Sequence, residues 1–232
     1  MTAGRPTAAP RWWRAQGALG AERLVLEALR EDDAPAPCEG PCGLAAPCSL
    51  PRPFLVHLGL AGDRAALLQG LEARTAARLM KEARAYASRS PRGGKAPLRY
   101  PRESRSALAR DRLAAFRAAV PLLRRAVDRT LPWGDGAPAL FEVDVAATLA
   151  ALGLPHSGLG GASREAILRR ASVLDGLGTA LHLTVDARPV RDLAVASKGA
   201  FDAVVACAAA AWFARARPTP PANDAEAWLP LP

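Results

Sequence analysis

The feature that most limits how this 232-residue chain can fold is the apolar run from Ala203 to Ala214, the longest in the sequence. It is too short to cross a bilayer as a helix, which takes about 20 residues. It lies inside a stretch, 200–216, that reads as a strong helix ended by Pro218. Half of all residues are hydrophobic, enough for a real core, and the length suits one large α/β domain. The N-terminus carries no apolar signal-peptide core, so a cytoplasmic, reduced setting without a membrane partner is expected.

The rest of the chain interleaves strand-like and helical segments. Residues 1–10 are rich in Pro, Ala and Gly and are expected to be disordered; the domain proper spans 11–217, and 218–232 forms a Pro-rich tail that closes on it. Residues 11–30 alternate too weakly to separate strand from helix. Leu44 to Leu50 reads as the end of a buried strand stopped by Pro51 and Pro53. A long helix is expected from Asp63 to about Ala87, with Leu67, Leu68, Leu71, Ala76 and Leu79 inward. A second fits 103–129, with Leu108, Leu113, Phe116, Val120 and Leu123 inward and a kink or break at Pro121. Residues 139–143 read as a strand, 145–152 as a short helix closed by Gly153, and Ser163 caps a helix to Leu174. Thr179 to Val185 is one more candidate strand.

Charge is unevenly spread. Lys plus Arg number 31 against 22 acids, a net charge of +9. Much of the excess falls between Lys81 and Arg129, where Arg99, Arg102 and Arg105 sit on a basic loop and its approach to the second helix. A basic face of this kind suits a polyanion, and nucleic acid is the commonest. The competing reading is that Arg replaces other polar surface residues throughout an Ala- and Arg-rich sequence.

Four local patterns, in order, resemble the domain-of-unknown-function 429 family, predicted nucleases with an RNase H-like fold. Gly43-Leu44-Ala45-Ala46-Pro47-Cys48-Ser49-Leu50-Pro51 is similar to that family's Gly-Leu-Asp-Phe-Pro-x-x-Leu-Pro motif. Phe141-Glu142-Val143-Asp144-Val145-Ala146, followed by Gly153-Leu154-Pro155, resembles its Glu-Val-Tyr-Pro-Ala segment and later Gly-Leu-Pro. Gly158-Leu159-Gly160-Gly161 stands where the family prefers Gly-Tyr-Lys-Gly. Phe201-Asp202-Ala203-Val204, with the terminal Glu226-Ala227-Trp228-Leu229, resembles its Asp-Ala-Leu helix and closing signature. The resemblance implies a mixed central sheet flanked by helices, with a Mg²⁺ or Mn²⁺ site for phosphodiester hydrolysis in which Glu142 and Asp202 serve as ligands and catalytic acids.

The departures from that pattern are specific. The first strand with its acidic residue is missing before Trp12. Ala45 replaces the motif Asp, Lys198-Gly199 stands where an acidic pair is often found, and Gly160 replaces a Lys. Asp144 and Asp186 are nearby substitutes. Two functions follow: a metal-dependent nuclease-like enzyme, or a catalytically inactive nucleic-acid-binding or interaction module using the 81–129 face.

Other constellations have plainer accounts. Cys38-x3-Cys42-x5-Cys48 with His57 has none of the usual zinc spacings. Ser157, Asp186 and the scattered His57, His156 and His182 come without a nucleophile elbow. The glycines before the Ser163 helix suit a turn as well as a phosphate cradle. Trp12-Trp13 suits an edge strand as well as base stacking.

Overall fold

The structure, a computed structural model, describes residues 12–35, 39–48, 50, 52–60, 64–89, 110–131 and 139–218. The expected disordered start, the loop with Arg99, Arg102 and Arg105, the turn at 132–136 and most of the tail lie outside these residues.

The chain is a mixed α/β fold. Residues 12–32, ambiguous in sequence, form an antiparallel hairpin of β1 (Trp12–Leu19) and β2 (Arg23–Asp32). The turn closes with the Gly20 amide donating to the Arg23 carbonyl at 2.8 Å. The register shifts between Gln16 and Gly17, where a Cβ on Gly17 would stand 2.7 Å from the Val25 carbonyl, so only glycine lets the strands approach. Later, β5 (Thr184–Asp186) pairs parallel with the far side of β2, giving the order β1-β2-β5. Asp186 bonds Arg23 and Arg188 at 2.7 Å each, and these guanidinium groups, Arg188 foremost, hold its carboxyl far below the usual range. A second, two-stranded parallel sheet joins β3 (Cys42–Leu44) to β4 (Leu140–Glu142).

Helices α1 (Arg52–His57), α2 (Arg64–Glu72), α3 (Ala76–Arg89) and α4 (Arg110–Arg125) pack around Phe54, Leu68, Leu71, Leu79, Phe116, Val120 and Leu123. Helices α5 (Val145–Ala151), α6 (Arg164–Ala180), α7 (Arg191–Ala196) and α8 (Lys198–Ala216) complete the fold. The apolar run lies in α8, which underlies both sheets. Phe201, Val204, Val205 and Ala208 share a core with Leu24 and Leu26 of β2. Ala206, Ala209 and Ala210 pack with Phe141 and Val143, beside a Phe141–Phe213 ring contact at 4.5 Å. By length and mean hydropathy, 1.3, α8 passes as a membrane span, but its middle is spent on these two cores.

Several expectations need correction. The helix expected from 63 to 87 is two helices. Arg117 of α4 donates to the carbonyls of Arg74 and Glu72, satisfying the end of α2, and Thr75 Oγ1 then accepts the Arg78 amide at 3.2 Å to start α3. Ala76 is exposed rather than inward. Pro53 lies in the first turn of α1, where proline is tolerated, and no strand runs through it. Pro121 breaks nothing: α4 runs through it with the ring exposed to solvent. The strand expected toward Leu50 ends at Leu44. Helix α6 continues past Leu174 to Ala180 and leaves only Thr184–Asp186 as strand.

One buried cation fastens the α6–α7 side. Arg170 is fully buried and donates to four backbone carbonyls, those of Leu159, Gly161, Val195 and Ala196, at 2.6–3.4 Å. Two of these end α7, where the helix dipole favours positive charge. The expected Ser163 cap is present, its hydroxyl accepting the Ala166 amide at 3.2 Å.

The crossing of α8 with β3 yields a test. A Cβ on Gly43 would meet the Ala206 carbonyl at 2.5 Å, whereas one on Gly160 would meet nothing within 4 Å. Gly43→Ala is expected to lower unfolding free energy in urea by about 2 kcal/mol, the scale of core overpacking. Gly160→Ala is expected to stay within about 0.5 kcal/mol of the parent.

Candidate acidic site and its internal cations

Glu142 is the last residue of β4, and parallel pairing with β3 carries it into the interior, where it is fully buried. A lone buried carboxylate is costly unless both oxygens are satisfied. Its Oε2 accepts the Cys48 amide at 3.0 Å and its Oε1 accepts Arg112 Nη2 at 3.0 Å. Asp144 follows β4 and caps α5, its Oδ1 accepting the amides of Ala146 and Ala147 at 3.1 Å. Its Oδ2 accepts Arg112 Nη1 at 2.9 Å. One guanidinium on α4 therefore bridges the two carboxylates, a strong charge-assisted arrangement.

Asp202 does not begin its helix, as expected, but sits one turn inside α8, whose cap is Ser197. It pairs with Lys198, the residue one turn before it. Burial raises its pKa, the nearby Asp144 charge adds to the rise, and Lys198 and Arg170 oppose it. Asp144, Asp202, Arg112 and Lys198 line a cavity of about 270 Å³, walled also by Ala45 and Ala46.

The structure thus gathers Glu142, Asp144 and Asp202 near one another. Asp144, a secondary candidate in the sequence, is the closer companion of Asp202, while Glu142 is held behind Arg112. Asp186 is elsewhere, on the edge strand β5. Ala45, where the resembling motif carries Asp, lines the same cavity and supplies no oxygen. Arg112 was read as part of a nucleic-acid face. It turns inward, as does Arg117, spent on the end of α2, while Arg124 stays exposed beside its partner Glu72. The signal for Arg112 was present in the periodicity, because it stands one helical turn before the inward Phe116.

A divalent cation would need oxygens from these carboxylates. The Glu142 and Asp144 carboxylates face backbone amides and the Arg112 guanidinium, and Asp202 faces the Lys198 ammonium. The donor set therefore does not fit a resident Mg²⁺ or Mn²⁺. The cysteine cluster offers no alternative centre. Cys42 is disulfide-bonded, the Cys48 thiol is buried and its pKa strongly raised by that burial, and His57 packs with Phe54 and Tyr86. Ser157 lies in an exposed loop, where its carbonyl accepts from Arg169. No known protein family, curated protein or solved structure matches the chain.

Two outcomes are expected. Arg112→Met strands Glu142 and Asp144 together and should cost about 3 kcal/mol at neutral pH, much of it recovered in the triple variant that adds Glu142→Gln and Asp144→Asn. Calorimetric unfolding of the single and triple variants checks this. For Asp202 the folded-state pKa lies above its unfolded value. Its contribution is present below the ordinary aspartate range and is lost as pH rises through the raised pKa. Asp202→Asn should remove that part of the acid-side slope in a stability-versus-pH series.

Proposed function

We propose that this chain is a non-hydrolytic, nucleic-acid-binding relative of the nuclease-like proteins it resembles, with its acidic cluster converted into an internal ion network. The observation that carries the reading is Arg112, whose guanidinium spans Glu142 and Asp144 at 3.0 and 2.9 Å. Lys198 does the same for Asp202. Cations fixed to the backbone take the role that a dissociable metal has in metal-assisted phosphodiester hydrolysis, so no hydrolytic water is activated there. Ala45 supports the same reading, since restoring a metal centre would need an oxygen at its place.

The affinity for a polyanion rests on the net charge of +9. With Arg112 and Arg117 engaged inside, Lys81, Arg84 and Arg125 are exposed on the described part of the 81–129 stretch, and Arg124 is exposed beside Glu72. They add to Arg99, Arg102 and Arg105 of the basic loop, which the sequence offers as phosphate contacts.

The deciding experiment is fluorescence-anisotropy binding of single-stranded DNA and RNA oligonucleotides, with parallel gels after incubation with Mn²⁺. Binding should weaken about 20-fold between ~50 and ~200 mM salt if about three phosphates are neutralised. It should fall further in the combined Arg99→Gln, Arg102→Gln, Arg105→Gln variant, and no cleavage should appear. Mn²⁺-dependent cleavage lost in Asp202→Asn would restore the hydrolase reading. Salt-insensitive or absent binding would remove the nucleic-acid partner.

A further inference from the structure

The first sheet has a covered face and an open one. Leu24, Leu26, Leu29 and Val185 point to the side that packs on α8. By alternation the other side carries Arg14 of β1, Arg23, Arg30 and Asp32 of β2, and Asp186 of β5. The register shift keeps this order, because it pairs Gln16 with Ala28 and Gly17 with Leu26 and leaves Glu27 as the extra residue. Gln16, Arg23, Ala28, Arg30 and Thr184 are exposed, so the arginine face is open to solvent.

The charges on this face fall into two groups, each with two arginines on one carboxylate. Arg14 and Arg30 stand directly opposite one another in register, an arrangement that is repulsive by itself. They share Asp32, with Nε to oxygen distances of 3.0 and 3.8 Å. At the other end Arg23 Nη2 and Arg188 Nη2 meet Asp186 Oδ2, both at 2.7 Å, while Arg188 Nε and the Arg188 amide meet Oδ1 at 2.9 and 3.3 Å. The carboxylates lie beneath and the guanidinium groups on top. Asp32 and Asp186 are 25% and 10% exposed, against 56% for Arg30, 55% for Arg23 and 83% for Arg188. Solvent therefore meets mainly positive charge, reduced by the exposed Glu27 at the bulge. Arg188 is exposed yet held by two side-chain bonds, so its head is fixed before any anion arrives.

We propose that the open face of the β1-β2-β5 sheet binds the phosphate backbone of a nucleic acid, with Arg23 and Arg188 as one phosphate clamp and Arg14 and Arg30 as a second. This rests on the nucleic-acid reading above and gives it an interface on the described residues. The clamps are roughly 20 Å apart along β2. After binding Asp186, Arg188 keeps Nη1 and Arg23 keeps Nε and Nη1 for a further acceptor. A planar guanidinium fixed in place matches the oxygens of a phosphate better than an ammonium group does. Between the clamps lie Gln16, Val25 and Ala28, none long enough to insert into a lipid surface.

The test uses the full chain, the same single-stranded oligonucleotides and a salt series, with folding of each variant checked by circular dichroism. The double variant Arg23→Gln, Arg188→Gln is expected to lower the slope of log affinity against log salt by about 1.4, the loss of two single-strand phosphate contacts. Arg23→Lys with Arg188→Lys keeps the charge and loses the fork, and is expected to weaken binding about threefold. Asp186→Asn removes a negative charge, so attraction by net charge alone would tighten binding, whereas loss of the orienting carboxylate weakens it; weakening is expected. If the Gln pair binds like the parent while the Arg99, Arg102, Arg105 variant is weaker, the face is excluded and the nucleic-acid reading stands. If the parent binds no oligonucleotide, both fall. If the Lys pair and Asp186→Asn bind as well as the parent or better, the clamps are overturned in favour of unspecific charge. Binding of phosphatidylserine vesicles in place of oligonucleotides, lost in the Gln pair, would overturn the proposal and assign the face to a membrane.

Discussion

The fold depends on one demand, that α8 be covered. A helix apolar around most of its circumference cannot rest on a single face, and the chain meets the demand by laying two separate sheets across it. The β1–β2 hairpin takes the Phe201 and Val204 side, and the β3–β4 pair takes the Ala206 and Ala210 side. Close approach follows from residue size: Gly43 sits against the Ala206 carbonyl, and Trp13 lies over Gly199 with no space for a Cβ beneath its ring. Two cavities lie against this arrangement, of about 240 and 270 Å³, and Asp202 of α8 borders each of them.

Three carboxylates gathered at such a crossing would repel one another and suffer from desolvation. The cations that answer them come from different distances along the chain. Lys198 is local, one turn from Asp202. Arg112 arrives from α4, thirty residues before Glu142. Arg170 contributes through its field while its own bonds go to carbonyls. Arg112, Glu142 and Asp144 thus tie α4, β4 and the start of α5 together.

How much of this could be read from the sequence depended on the range of the interaction. Local signals were legible: the Ser163 cap, the strand at 140–142, the short helix after Asp144 and the apolar faces of Leu67, Leu68, Leu113 and Phe116 all appear as expected. Glu142 and Asp202 were named from the resemblance; the structure joins Glu142 to Asp144 through Arg112 and sets Asp144 beside Asp202 on one cavity. What was not legible needed a partner far away in sequence. The split between α2 and α3 is stabilised by Arg117, more than forty residues on. Pro121 is tolerated because its side of α4 faces solvent. The inward side of Arg112 could be read from its place one helical turn before Phe116, but the carboxylates it meets, thirty residues on, could not. The RNase H-like topology implied by the resemblance goes further than the two small sheets described here.

The buried Arg170 has one more consequence. The segment 156–163 is exposed and rich in glycine, with Gly158 and Gly161 at positive φ, the composition of a place where proteases nick a chain first. Here the carbonyls of Leu159 and Gly161 are bound to a guanidinium that is also held by the end of α7, and Leu159 is itself buried. To thread into a protease cleft this loop would have to release Arg170 into an apolar interior with half its partners gone. Its susceptibility to cutting is therefore set by the opening of the α6–α7 unit as a whole, and an exposed loop acquires the resistance of a core segment.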